Sequence, residues 1–196
     1  MIVATGSEPI REYDGAFPGH WSPSGALRPG IPGADGPNVF TAWDVMNGAL
    51  DDRKHVVILD AIGYYQSSDP LEYLATRGKK VTVVTMTHGV FPEDMTDVER
   101  PNFRESIWGK DVTIHQTTGV KEILKDAVKV HDGFTGREFT IDGVDATILS
   151  VGNVSINQLF YDVKGKVPEV HRIGDCVTPR RIEHAHFEGH KIGMEI

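Results

Sequence analysis

Cysteine is almost missing from this sequence: Cys176 is the one thiol among 196 residues. A single thiol excludes an internal disulfide, a cysteine-ligated iron–sulfur cluster and a redox dithiol pair built from this chain alone. Long apolar runs are also missing. No stretch approaches the roughly 18 apolar residues that a membrane helix requires, and Met1 to Gly6 has neither the basic start nor the long apolar core of a signal peptide. Basic excess is missing too, with 20 Lys plus Arg against 28 Asp plus Glu and a net charge of -8. Nucleic acid and anionic lipid both need clustered cations, so neither is an expected partner and no membrane association is expected. These absences fit a cytoplasmic protein. What is present is 39% hydrophobic residues in a length that one large or two small domains would use, enough for a real core.

Pattern along the chain points to an α/β fold. Residues 13–38 carry so many glycines and prolines, Gly15, Pro18, Gly25, Pro32 and Gly33 among them, that a loop is expected there. Thr41 to Leu50 reads as a short helix with Thr41 as N-cap and Asp44 as its capping partner. His55 to Asp60 is a continuous apolar, β-branched run, as expected for a strand buried on both faces of a parallel sheet. Asp69-Pro70 predicts the N-cap and first position of a helix that Gly78 ends, and Lys80 to Thr85 predicts a second buried strand. Strand, helix and strand in this space make a βαβ unit. Thr96 to Trp108 reads as a helix weakened by Pro101. Val112–His115, Gly119–Ile123, Ala127–His131 and Arg137–Ile141 read together as an antiparallel meander. Ala146 to Val151 predicts another buried strand, Arg172-Ile173 a short one, and Glu183 to Glu195 a helix.

Three places have the residue types for chemistry. The first is the turn after the first buried strand, Asp60-Ala61-Ile62-Gly63-Tyr64-Tyr65. A dinucleotide fold places G-x-G-x-x-G there so that backbone amides can reach a pyrophosphate at a helix N-terminus. Gly63 alone remains of that pattern, and Pro70 predicts a helix that starts too late to present its amides, so by spacing alone a plain structural turn is favoured over nucleotide binding. Trp21, Trp43, Trp108 and the Tyr64-Tyr65 pair read most simply as core or loop anchors, with an adenine contact at Tyr64 as the alternative. The second strand ends Thr85-Met86-Thr87-His88, without the acidic residue that holds an adenosine ribose, which leaves the Thr85 hydroxyl as the candidate contact. The second place is Ile173-Gly174-Asp175-Cys176 with Arg180. A carboxylate at a strand's C-terminal edge there can cap a diol, with Gly6 ending a second short strand at Met1 to Gly6. The third is His186 and His190, spaced i, i+4 on one helix face, where two imidazoles can share a metal ion; a polar face of solvated histidines is the plainer reading. Cys176 has no histidine beside it, so a buried thiol is favoured over a nucleophile.

The order of these motifs resembles a known family. Ala4-Thr5-Gly6, Ile31-Pro32-Gly33-Ala34-Asp35, Thr41-Ala42-Trp43-Asp44-Val45, Val56 to Asp60 with Gly63-Tyr64-Tyr65, Leu71 to Ala75, Val81 to Thr85 and Ile173 to Cys176 with Pro179 to Ile182 follow one another as in the C-terminal half of the trimethylamine dehydrogenase and 2,4-dienoyl-CoA reductase group of NADH:flavin oxidoreductases. The Gly63-Tyr64-Tyr65 form is nearer the amine dehydrogenase and demethylase branch. The resemblance implies two nested Rossmann-like domains, with a partial FAD-type domain in 1–39 and 152–196 and an NAD(P)- or ADP-binding-type domain in 40–151. The candidate cofactor-contacting positions are then Gly6, Asp60, Gly63, Tyr64, Thr85, Gly174, Asp175 and Arg180, of which the resemblance places Gly6, Gly174 and Asp175 in the FAD-type domain, with ADP or NAD(H) as the adenine nucleotide of this chain. The resemblance places FAD, FMN and the iron–sulfur cluster in a full-length protein whose barrel and other FAD-domain half, or another subunit, are the partners. The chain by itself is then expected to be catalytically incomplete, and its uncovered strand edge is expected to favour self-association into a homo-oligomer. The alternatives are a small electron-transfer or docking subunit that completes a flavin site with another chain, and a histidine-based metal module.

Overall fold

The computed structural model describes residues 1–11, 30–88 and 95–196. Most of the expected Pro/Gly-rich loop therefore lies outside the described residues, Trp21 included. In chain order the elements are β1 (Ile2–Val3), β2 (Ser7–Pro9), β3 (Val39–Thr41), α1 (Ala42–Met46), β4 (His55–Asp60), α2 (Tyr65–Thr76), β5 (Lys80–Thr85), α3 (Glu99–Ile107), β6 (Val112–His115), β7 (Thr118–Ile123), β8 (Ala127–Asp132), β9 (Glu138–Asp142), β10 (Ala146–Ser150), β11 (Asn153–Ser155), α4 (Gln158–Val163), β12 (His171–Arg172) and α5 (Ile182–Glu195). They divide into two compact units, Met1–Ile10 with Gly152–Ile196, and Arg11–Val151. No helix among the described residues is long and apolar enough to cross a membrane.

The larger unit is built on a five-stranded parallel sheet of order β3-β10-β4-β5-β6. Its central strands are apolar at nearly every position because both faces are covered: β4 is buried throughout, as is β10, and β5 is buried from Val81 onward. One face contributes Val56, Ile58, Val81, Val83, Ala146 and Ile148 to a single core cluster, joined by Val45 of α1, Leu71 and Leu74 of α2 and Phe103 of α3. The strands β7, β8 and β9 form a separate antiparallel meander, which meets the sheet through contacts between β7 and β5. The α/β class, with a parallel sheet, helices and a meander, is the one the sequence implies. The smaller unit holds two short ladders, β1 parallel to β12 and β2 antiparallel to β11.

Several local expectations need correction. The helix after β4 starts at Tyr65, not at Asp69, and Pro70 lies inside it. Its ring forgoes one intrahelical bond to the carbonyl of Gln66, a cost that the burial of Pro70, Leu71 and Leu74 offsets. Pro101 does not weaken α3, because it is the third residue, where the missing N–H has no intrahelical partner to lose. Val112–His115 is not part of the meander: it pairs parallel with β5 as the sheet's edge strand. The helix after Thr41 ends at Met46 rather than Leu50, where Gly48 takes a φ of +80°. Its start is as expected. Thr41 and Asp44 form a reciprocal capping box, with the Asp44 carboxylate accepting the Thr41 backbone N–H at 2.7 Å. Burial raises the Asp44 pKa, but hydrogen bonds from Arg11 and Thr41 outweigh it, for a net lowering.

Buried His55 at the start of β4 lies 3.0 Å from the Gly143 carbonyl through Nδ1 and 3.0 Å from the Thr82 hydroxyl through Nε2. Burial first, and the Lys80 charge second, hold its pKa below the ordinary 6.5. Because the unfolded imidazole takes up a proton first, stability is full above about pH 6.5 and falls as pH drops below it. The five carboxylates with lowered pKa among the described residues, Asp44, Asp132, Glu138, Asp145 and Glu188, lose their contribution only at lower pH. Melting temperatures taken from pH 7.5 to 5.5 should therefore decline, and His55→Gln should flatten that decline; an unchanged slope would contradict the assignment.

Candidate functional site

In the larger unit the chain runs from β4 to β5 and β6 on one side and returns after the meander as β10 on the other, so strand order reverses at β4. In open α/β sheets the crevice beyond such a reversal is where ligands bind. Asp60 ends β4, and its register partners at the sheet's C-terminal edge are Ser150 of β10 and Thr85 of β5. Asp60 is fully buried. Its Oδ1 accepts the backbone N–H of Ile62 at 3.2 Å, that of Gly63 at 2.8 Å and the Ser67 hydroxyl at 2.6 Å. The Ser67 hydroxyl also lies 2.7 Å from that of Ser150, which ties the first turn of α2 to β10. Asp60 Oδ2 has no hydrogen-bond partner among the described residues.

The turn from Ala61 to Tyr64 leads directly into α2, whose N-terminus thus sits at the crevice, contrary to the late start expected from Pro70. Gly63 has a φ of +65°, the left-handed region where a side chain is strained, and a Cβ there would come no nearer than 3.9 Å to Thr87. Tyr64 is the N-cap, extended, without a side-chain capping bond and 43% exposed. Thr85 is fully buried, and its hydroxyl lies 2.8 Å from that of Thr87 and accepts the Thr87 N–H. Of the four positions singled out at this turn, Gly63 and Tyr64 face accessible space, whereas Asp60 and Thr85 shape the crevice from within.

The smaller unit has its own cleft of about 420 Å³, lined by Ala4, Gly6, Ile173, Gly174, Asp175, Arg180, Ile182 and Ala185. Gly174 follows β12 at a φ of +69° and opens a single 3-10 turn. Asp175 Oδ2 accepts the Ser7 hydroxyl at 2.9 Å, and Oδ1 accepts the Arg180 backbone N–H at 3.2 Å. Ser155 donates to the Asp175 carbonyl at 2.8 Å, so β2 and β11 hold this turn from one side. Glu188 of α5 holds it from the other, accepting the Gly174 N–H at 2.6 Å and pairing with the Arg180 guanidinium. The hydrogen bond from Arg180 is the main reason the Glu188 carboxyl titrates below its ordinary range. Sequence reasoning found Gly6, Gly174, Asp175 and Arg180, which share this cleft, but missed Glu188, Ser7 and Ser155. Glu188 was in view only as a carboxylate that could join His186 and His190 at a metal.

Cys176 is fully buried, its thiol directed at the carbonyls of Val3 and Ile173 at 3.1 and 3.2 Å, as a structural residue would be. Among the described residues no three His, Cys, Asp or Glu side chains gather to hold a metal, so His186 and His190 have no third ligand there. The lone thiol, spent on carbonyls, does not fit an iron–sulfur cluster.

Together these features define an α/β protein of Rossmann-like fold with two glycine turns, each wired by a carboxylate. No family model matches the chain. Over all of its residues it is 28% identical to NADH oxidase of Thermoanaerobacter brockii and 25% identical to dimethylamine dehydrogenase of Hyphomicrobium sp. (strain x). The solved 6-hydroxypseudooxynicotine amine oxidase of Pseudomonas geniculata N1 superposes on 98% of the chain with a TM-score of 0.85 at 30% identity. The chain spans only 28%, 29% and 28% of these three relatives, respectively. The resemblance carried by the motifs stands: the chain is related, over its whole length, to the nucleotide-binding-type region of the trimethylamine dehydrogenase and 2,4-dienoyl-CoA reductase group.

Removing the Glu188 charge tests how the second turn is held. Glu188→Gln should cost about 1–2 kcal/mol, because a charge-assisted bond to a backbone N–H and a half-sheltered ion pair weaken together. Glu183→Gln, which breaks the exposed pair to Arg181, should stay within about 0.5 kcal/mol of wild type. Chemical denaturation of the two variants makes the comparison, and equal losses would refute the role of Glu188.

Proposed function

We propose that this chain is the nucleotide-binding portion of a flavin-dependent oxidoreductase, of the amine dehydrogenase and demethylase kind or the NADH:flavin oxidoreductase kind, and is catalytically incomplete alone. The smaller unit, as the core of a partial FAD-type domain in 1–39 and 152–196, contributes the Gly174-Asp175 turn toward the ribityl or ribose hydroxyls of FAD. Asp175 suits that task because each carboxylate oxygen has accepted one donor and keeps lone-pair capacity at the cleft wall. Arg180, paired with Glu188, is a poor phosphate ligand. The pyrophosphate-binding strand, turn and helix of the FAD site, the barrel with FMN and the iron–sulfur cluster come from the remainder of a longer protein or from another subunit. Flavin, when bound, supplies the electron transfer. This chain's residues bind and orient it.

The larger unit, with residues 40–151, takes an adenine nucleotide, ADP or NAD(H), at the reversal of strand order. The observation that carries this reading is the short turn at that edge, with Gly63 left-handed, Tyr64 exposed and α2 starting at the crevice. Adenosine, ADP or NADH in saturating amounts should raise the melting temperature, because a ligand that binds only the folded state stabilises it by about 2.7 kcal/mol at a hundredfold excess over Kd. Gly63→Val should remove that shift and cost about 1–2 kcal/mol in left-handed strain. If no nucleoside or nucleotide moves the melt at millimolar concentration, the reading fails.

A further inference from the structure

We propose that Asp60 is a built-in anion that stands where a phosphate would dock at the N-terminus of α2, so that the crevice of the larger unit selects against the pyrophosphate of a dinucleotide and for the nucleoside end of its ligand. A phosphate-binding turn offers outward-pointing backbone N–H groups ahead of a helix, in the field of the helix dipole. Here the N–H groups of Ile62 and Gly63 point inward, and both are consumed by the same Asp60 oxygen, which also takes the Ser67 hydroxyl. Two of the donors that would have met a ligand's phosphate are therefore already met. The helix α2 is twelve residues long and opens without any other acidic residue in its first turn, so this aspartate is the charge that its positive end sees. No lysine or arginine pairs with Asp60 among the described residues, and its Oδ2 is buried without a partner. The carboxylate thus stands beneath the crevice without a cationic partner, and at a fully buried position its repulsion of a second anion is screened little by salt.

The same wiring explains the single surviving glycine. Close approach of a pyrophosphate demands glycine at several positions, whereas a turn closed on an internal carboxylate needs only the one left-handed residue, Gly63. Ser67 and Ser150 extend the arrangement across to β10, so Asp60 orders the edge of the sheet as well as setting its charge. Ligand groups that this edge favours are neutral: hydroxyls and an aromatic base beside exposed Tyr64.

The inference refines the nucleotide reading of the larger unit, and its test separates the two. Adenosine, ADP and inorganic pyrophosphate are titrated into the ¹⁵N-labelled 196-residue chain, with amide resonances of residues 62–66 as the readout. Wild type should bind ADP no more tightly than adenosine at these resonances and should ignore pyrophosphate. Asp60→Asn, which keeps an acceptor for the turn and removes the charge, should raise the affinity for ADP and pyrophosphate by roughly tenfold relative to that for adenosine. Asp60→Ser serves as the second variant and should shift in the same direction. A wild type whose Ile62 and Gly63 amides respond to pyrophosphate, or variants that fold and gain nothing for phosphate, would overturn the proposal. The wild-type comparison alone decides if neither variant folds. Loss of adenosine binding in every protein would count against the nucleotide reading, while a phosphate gain in the variants would still uphold the role of Asp60.

Discussion

One buried carboxylate organises the edge on which the larger unit's chemistry depends. Asp60 gathers two backbone N–H groups and a serine hydroxyl onto a single oxygen, and through Ser67 it joins the first turn of α2 to the end of β10. A buried carboxylate is costly when unpaired, and these donors offset that cost. The turn can be short because the acid replaces the ligand that dinucleotide-binding turns wait for. Helix α2 can then begin at the crevice, and Leu71, Leu74 and Ala75 follow onto the sheet in the register that fills the core.

The smaller unit repeats the logic with different residues. There the Gly174 turn is held by Glu188 and Asp175, whose oxygens accept two backbone N–H groups, the Ser7 hydroxyl and the Arg180 guanidinium. Both units therefore present a glycine turn beyond a parallel strand, and in both an acid of the chain itself satisfies the turn. They differ in what is left over. Asp175 lines an open cleft, while Asp60 is sealed beneath its turn. The first is suited to meet a ligand's hydroxyls directly, and the second acts on a ligand only through shape and field.

Much of the fold was legible because a few signals are physically unambiguous. A buried parallel strand must be apolar on both faces, and His55 to Asp60, Lys80 to Thr85 and Ala146 to Val151 read that way. Thr41 and Asp44 declared a capping box that formed as expected. Failures came where two physical readings share one pattern. Asp69-Pro70 has the form of a helix start, but burial of the apolar residues after it outweighs the lost hydrogen bond and carries the helix back to Tyr65. Val112 to His115 alternates like a meander strand because it is an edge strand, and alternation does not reveal whether its neighbour runs parallel. The strands β2 and β11 and the helix α4 went unread: three to six residues of mixed polarity carry no period. At the site, the order of motifs located both turns. It did not show that Asp60 points inward, because the identity of a side chain says nothing about which donors will enclose it.

Hydrogen exchange of the Ile62 and Gly63 amides in the ligand-free protein tests the central claim most directly. If Asp60 holds them, both amides exchange slowly, on the timescale of the neighbouring sheet rather than of an open loop, and adding nucleotide does not slow them further. Fast exchange at both amides, slowed only when a phosphate-bearing ligand is added, would contradict the account.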